Sequence, residues 1–292
     1  MTQTTTIQQS ELILNPDGSV FHLHLKPGQI ATTIILVGDP NRVDIISSFL
    51  SDIEFKVSNR EYVSTTGKFN GKRITVVSTG VGIGNVDIVI NELDALLNID
   101  FDTRKKKSKI TKIDFIRIGT SGSLQKEIKV NSYVISKYSV GLDNLLYFYD
   151  GIEKATNKEL KVALNSFLGL DNQFINPYVI NASEKLFKKL NSNQTYSGIT
   201  ITSPGFYGPQ NRELRLNPAM NSLYNNLSDF DYSEEIVTNY EMESAAIYGL
   251  TKLLGHEAVT ICLIIANRIN GEVNKNYREK VKRLVLYVLE KI

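Results

Sequence analysis

The sequence predicts an α/β fold: a single domain in which a central mixed, twisted β-sheet is flanked by helices. Three observations predict it. Short apolar runs rich in β-branched residues alternate with stretches whose apolar residues recur at helical spacing. Asn70-Gly71 joins two strand-like runs and favours a tight hairpin, which places antiparallel strands beside parallel ones. No repeat, low-complexity tract or Pro- or Ser-rich linker divides the 292 residues. Residues 16–292 are therefore read as one domain, and the polar residues 1–15 as a flexible N-terminal tail.

Each element has its own signal. Thr33–Val37 is a buried strand that ends at Gly38-Asp39-Pro40, where Asp39 can cap a helix and Pro40 can open it. Ile45, Ile46, Phe49 and Leu50 give that helix its apolar stripe. Residues 61–69 and 73–78 form the hairpin. Val86, Val89, Ile90, Leu93, Leu96 and Leu97 mark a helix directly after the glycines at 80, 82 and 84. Residues 101–109, with Arg104 and Lys105, Lys106 and Lys107, read as a solvated surface loop. Strands follow at 113–118, 131–140, 196–202 and 259–266. Met242, Ala245, Ala246, Leu250 and Leu253 share one helix face, and Val281, Leu284, Val285, Val288, Leu289 and Ile292 share another.

Composition narrows the function. Hydrophobic residues are 42% and charged residues 22%, so the chain can fold around a core. The 33 Lys and Arg against 31 Asp and Glu leave +2, which argues against a dedicated nucleic-acid binder. A single cysteine, Cys262, excludes an internal disulfide and reads as a core thiol within an apolar run. His22 and His24 alternate in a strand-like segment, but with only His256 besides and no acidic or cysteine cluster, a catalytic metal is not expected. The N-terminus lacks a basic n-region and an apolar core, and no stretch reaches the ~18 apolar residues of a membrane helix, so a cytoplasmic protein is expected.

Three glycine-bearing turns follow strands: Gly38-Asp39-Pro40-Asn41-Arg42, Ser78-Thr79-Gly80-Val81-Gly82 and Arg117-Ile118-Gly119-Thr120-Ser121-Gly122. Glycine lets a ligand approach the backbone, and loops at the carboxyl ends of strands are where open α/β sheets bind ligands. The spacing matches neither a dinucleotide fingerprint nor a Walker A loop. Arg117 interrupts an apolar run. It is either an edge residue, a partner of Asp114, or a guanidinium aimed at a buried anion. Glu241 and Glu243 open a helix, where they complement its dipole or hold the hydroxyls of a sugar. The loop 203–212 is structural, or it offers Phe206 and Tyr207 for stacking and Gln210 and Arg212 for reading a heterocycle's edge.

Taken together, residues 38–43, 78–82, 117–120, 206–212, 240–244 and Asn267-Arg268 resemble, in this order, the nucleoside phosphorylase superfamily and within it the uridine phosphorylases. The resemblance implies roles. The Gly38 turn, Arg42, Arg117 and Thr120 would hold inorganic phosphate as co-substrate, with Arg60 reaching in from a neighbouring subunit. Met242 and Glu243, with Glu241 nearby, would hold the ribose, and the neighbour's His22 would cap its 5′-hydroxyl. Phe206, Gln210 and Arg212 would bind the base, supported by Arg268. Arg42, Arg117, Thr120 and Glu243 would carry the catalysis without any organic cofactor. Asn267, where purine-specific relatives carry aspartate, points to uridine, with deoxyuridine or thymidine as further substrates.

Sites shared in this way imply a dimer at least, and a hexamer built as a trimer of dimers. A potassium ion at the dimer interface near Glu61 and Ser78 is a further implication. Residues 101–109, the loosely matching stretch 145–181, and Pro209 after Gly208 depart from the family pattern. Its gating flap would fall near 217–233. Two enzyme alternatives share the fold, a purine nucleoside phosphorylase and a water-using nucleosidase. A non-catalytic nucleoside-binding paralogue is the third. Of the ten arginines among the 33 basic residues, five (Arg42, Arg60, Arg117, Arg212 and Arg268) fall at the implied site.

Overall fold

The computed structural model describes residues 6–169, 175–219 and 226–292. In chain order its elements begin with β1 (Thr33–Val37), α1 (Pro40–Ser47), β2 (Ser51–Asn59), β3 (Tyr62–Phe69), β4 (Lys72–Ser78) and α2 (Ile83–Asn98). There follow β5 (Ile99–Asp100), β6 (Lys105–Lys106), β7 (Asp114–Ser123), β8 (Tyr133–Gly141), α3 (Ile152–Ala155), α4 (Lys158–Leu168), β9 (Tyr178–Asn181), α5 (Glu184–Leu190) and β10 (Thr195–Thr202). The chain ends with β11 (Asp231–Tyr232), β12 (Glu235–Glu241), α6 (Ser244–Leu254), β13 (Glu257–Asn267), β14 (Glu272–Val273) and α7 (Arg278–Leu289).

The main sheet runs β11-β12-β10-β8-β13-β7-β1-β4-β3-β2. β1 lies parallel between β4 and β7, while the β2-β3-β4 meander is antiparallel. The sheet is thus mixed, as the Asn70-Gly71 signal predicts. Both turn residues have positive φ, the conformation a two-residue hairpin demands. β12 also pairs with β7, so β7, β13, β8, β10 and β12 close into a ring.

Alternation along the strands sorts the core into two layers. Ile34 and Leu36 of β1 pack with α2 and α6, and Ile35 and Val37 pack with α1, α5 and α7. α6 is buried from Ser244 through Thr251, which explains why it is apolar on more than one face.

Four expectations need correction. The strand expected at 113–118 continues to Ser123, because Gly119 to Ser123 pair with β13 and Gly122 and Ser123 also pair with β12. The third glycine turn is therefore strand. Residues 101–109 do not form a plain loop: β5 and β6 pair antiparallel, with Arg104 at positive φ between them. The Arg104 guanidinium donates to the carbonyls of Ile7, Gln8 and Leu12 at 2.5–2.9 Å, and Ile7 donates its amide to the Arg104 carbonyl. Residues 7–12 of the expected tail are thus fastened to this hairpin. Residues 1–5 lie outside the described residues, as do 220–225 of the expected flap. The segment holding His22 and His24 is no strand: its buried leucines, Leu23 and Leu25, flank His24 at positive φ.

β10 shifts register against β8 at Gly198, and on its other side the same residue packs closely against β12. A Cβ on Gly198 would lie 2.6 Å from the Ile236 carbonyl oxygen, a backbone atom that cannot swing aside. Gly198→Ala is expected to cost about 1–3 kcal/mol and to lower the thermal unfolding midpoint by roughly 3–8 °C. Calorimetry of wild type and variant measures this, and an unchanged midpoint would show that the sheet yields at this point.

Candidate active site

Three strand ends meet at one edge. β4, β1 and β7 are neighbours in parallel, with Val37 opposite Ser78 and Leu36 opposite Arg117. The Gly38 turn, the Thr79–Gly82 turn and the distal half of β7 therefore open into one cleft of about 420 Å³. Gly38 and Gly80 pack closely, since a Cβ on Gly38 would lie 3.4 Å from the Gly80 carbonyl.

Arg42 leaves the first turn of α1, a helix capped by Asp39, which accepts the Asn41 amide at 2.9 Å, and opened by Pro40. Its guanidinium is buried and donates to the Ile118 carbonyl at 3.0 Å. Among the described residues no carboxylate lies within ion-pair distance of it. Burial, and then repulsion from Arg117, push its pKa below the ordinary arginine value.

Arg117 differs. It is neither an edge residue nor the partner of Asp114, which pairs with Lys185 at 2.8 Å. Its guanidinium is buried between two carboxylates, with Nη1 at 3.2 Å from Glu241 and Nη2 hydrogen-bonded to Glu243. Burial alone would lower its pKa, but Glu243 and Glu241 outweigh that and hold it charged. Room for the guanidinium comes from Gly119, which lies on the same strand face. A Cβ there would lie 2.2 Å from Arg117 Nη1 and 2.8 Å from Cys262 Sγ. Cys262 is a core thiol as expected, with burial pushing its pKa up to about 11.

The two glutamates do different work. Glu241 accepts the amides of Glu243 at 2.9 Å and of Ser244 at 2.9 and 3.1 Å, as well as the Thr202 hydroxyl. It caps α6, and its acceptor capacity is largely spent. Glu243 accepts the Gly82 amide at the start of α2 at 2.7 Å and bridges it to Arg117. Burial, then Glu241, raise the Glu243 pKa, and Arg117 opposes them. Met242 and Glu243 line the cleft together with Thr120.

The opposite end is the loop 204–212. Gln210 is buried, and the Arg212 guanidinium lies 3.8 Å over the half-exposed Phe206 ring. Arg212 also donates to the Phe206 carbonyl at 2.7 Å and to the Gln210 side-chain oxygen. Burial, then Arg268, lower the Arg212 pKa to about 10. Phe206, Gln210 and Arg212 all line the cleft.

The remaining expected residues lie elsewhere. Arg268 braces the loop, donating to the carbonyls of Gln210 and of Asn211, the latter at 3.1 Å. Asn267 does not line the cleft. Its amide nitrogen donates to Gln125 and Ile128 carbonyls at 2.9 Å and its oxygen accepts the Ile269 and Asn270 amides, so all its capacity is structural. His22 and Arg60 do not line their own cleft either. His22 pairs with Glu92 at 2.6 Å, and Arg60 is exposed at the β2-β3 turn, 5.8 Å from the Phe21 ring. The Ser78 hydroxyl donates to the Glu61 carbonyl at 2.6 Å, so these two are adjacent.

Sequence reasoning passed over other lining residues. Tyr277 stands beside Arg42 just before α7, and Tyr240, Ile265 and Ala266 come from the ends of β12 and β13. Only Tyr240 lay in a motif. Nothing local marks the others, because strand pairing brings them in.

In chemical terms the cleft offers a buried cation free to meet an anion, a buried carboxylate able to accept from a hydroxyl, and an aromatic face beside an amide and a guanidinium. The pattern of the Phosphorylase superfamily matches residues 32–290. The uridine phosphorylase of Thermococcus kodakarensis is 34% identical over 259 residues, covering 89% of this chain and 81% of that protein. That of Haemophilus influenzae is 30% identical over 256 residues, covering 87% of this chain and 88% of that protein. A solved Trypanosoma brucei nucleoside phosphorylase, described as showing uridine phosphorylase activity, superposes with a TM-score of 0.87 at 28% identity, covering 96% of this chain and 98% of that one. The chain belongs to the phosphorylase superfamily.

Proposed function

We propose that this protein is a pentosyltransferase that converts uridine and inorganic phosphate to uracil and ribose 1-phosphate, acting in cytoplasmic pyrimidine salvage. The observation that carries this reading is the convergence of Arg42, Arg117, Glu243, Gln210 and Arg212 from four separate segments onto one cleft. A structural use of the glycine turns would not require a buried arginine without a carboxylate partner.

Phosphate lies against Arg42, Thr120 and the Gly38 turn, with Arg117 behind it. One phosphate oxygen attacks C1′ of the ribose as the C1′–N1 bond breaks. The bonding pair leaves with the base, and the transition state has oxocarbenium character, as in glycoside cleavage. The phosphate dianion is both nucleophile and counter-charge to the developing cation, so the arginines act by orientation and preorganised electrostatics. Glu243 accepts a hydrogen bond from the ribose hydroxyls that strengthens as positive charge develops. Arg212 and Gln210 meet the departing uracil anion, which then takes a proton from solvent. Their mutual hydrogen bond must open to admit the base, while Arg268 holds the loop backbone in place. The base preference is assigned to this loop and not to Asn267, whose amide is fully engaged.

The site is completed by a neighbour. His22 and Arg60 lie outside their own cleft, and Arg60 is presented at an exposed turn. We assign both to the cleft of an adjoining protomer, in a dimer that is the unit of a hexamer. Potassium near Glu61 and Ser78 belongs to the same reading.

Two experiments follow. In a spectrophotometric assay, uridine cleavage should require phosphate and exceed inosine cleavage at least about tenfold. Inosine preference would contradict the base assignment, and cleavage indifferent to phosphate would indicate a nucleosidase. Arg42→Ala should lower kcat/KM for phosphate by about 10²–10³ while the KM for uridine changes less than about threefold. Steady-state kinetics with each substrate varied in turn measure the split. A loss confined to uridine would remove Arg42 from the phosphate site.

A further inference from the structure

α2 carries a second carboxylate with a defined task. Its N-terminal Gly82 amide holds Glu243, and Glu92 lies ten residues on, about 15 Å further along the helix axis. Glu92 is only 12% exposed and reaches the segment that holds His22. It accepts the His22 amide at 3.0 and 3.2 Å and the Leu23 amide at 2.9 Å. Its Oε1 also lies 2.6 Å from Nδ1 of the His22 ring. From the other side, the Asn59 side chain donates to the His22 carbonyl at 2.8 Å. Phe21 and Tyr62 set their edges against the ring, with centroids at 4.9 and 6.3 Å.

A carboxylate can only accept, so Nδ1 must carry the proton. In the neutral ring Nε2 then holds the lone pair, and the hydrogen bond at one nitrogen decides the role of the other. Nε2 has no hydrogen-bond partner among the described residues. The ring is therefore held on one edge and prepared as an acceptor on the other.

We propose that Glu92 is a positioning residue for the reaction: it fixes the tautomer and orientation of His22 so that Nε2 accepts the ribose 5′-hydroxyl bound in the neighbouring protomer's cleft. This rests on the reading that His22 serves that cleft. α2 then links the two sites of a pair, holding Glu243 for its own cleft at one end and His22 for the neighbour's further along. Glutamine at this position would supply one acceptor oxygen where two are used. Either a backbone amide loses its acceptor, or the amide nitrogen faces Nδ1 and drives the proton to Nε2.

The test uses the full-length protein with two substrates, uridine and 5′-deoxyuridine, which lacks the hydroxyl. Glu92→Gln should lower kcat/KM for uridine about tenfold and for 5′-deoxyuridine less than about twofold. His22→Ala should show the same selectivity, and the double variant should be no worse than His22→Ala alone, as expected for residues acting in series. Glu92→Asp keeps the charge but withdraws it by one methylene. It should reproduce the selective loss and serves if the glutamine variant does not fold. If His22→Ala discriminates between the substrates but neither Glu92 variant does, or if the losses add in the double variant, Glu92 has only a structural role. If His22→Ala does not discriminate, the assignment of His22 to the 5′-hydroxyl fails and the proposal fails with it.

Discussion

Arg117 places a positive charge inside a β-sheet, between strands on both sides, where it is stable only with anions against it. Glu241 and Glu243 provide them, and much of the surrounding architecture exists to bring those two carboxylates there. β7 must reach β12, since Glu241 ends that strand. Gly119 must lack a side chain, or the guanidinium could not lie along its own strand. α6 must begin directly after Glu243. The closed ring of strands is thus coupled to one ion-paired cluster, and the cleft is its open side.

The cluster also decides which groups remain for a ligand. The N-termini of α2 and α6 both point toward the cleft, and helix N-termini commonly bind phosphate. Here three of the leading amides already hold carboxylates: Gly82 donates to Glu243, and Glu243 and Ser244 donate to Glu241. In the proposed reading the arriving anion falls to Arg42, whose guanidinium has a carbonyl but no carboxylate within reach among the described residues. Arg117 contributes field from behind, already partly neutralised. Such a division suits a reaction in which phosphate must be oriented and yet remain nucleophilic, since a dianion clamped by two uncompensated guanidinium groups would be the poorer nucleophile.

Local pattern made the first half of the site legible. Gly38-Asp39-Pro40 announced a strand meeting a capped helix, and Arg42 followed from it. The apolar run with Arg117 inside it posed the right question, but its partners are more than a hundred residues away in sequence and carry no local signal. For the same reason the glycines at 119 and 122 read locally as a turn, and only their pairing with β13 and β12 makes Gly119 to Ser123 strand. β2 does carry the period of a half-buried strand, with Ile53, Phe55 and Val57 alternating with Asp52, Glu54 and Lys56, but it is an edge strand whose first four residues are exposed, and no turn signal ahead of it marks where it begins. Tyr277 was missed because it precedes a helix whose apolar stripe explains the sequence on its own. Arg104 looked like one charge in a solvated run. Its three carbonyl partners lie 92–97 residues earlier, near the N-terminus, and only the folded structure brings them to it.

The most direct test of the central cluster is calorimetric titration of inorganic phosphate, without nucleoside, into wild type and Glu243→Gln. Neutralising Glu243 removes a negative charge beside the anion site and leaves Arg117 less compensated. Phosphate should bind severalfold more tightly to the variant while uridine turnover falls by about 10² or more. Phosphate affinity that is unchanged or weaker in a folded variant would contradict this, because Glu243 would then not be what restrains Arg117 at the anion site.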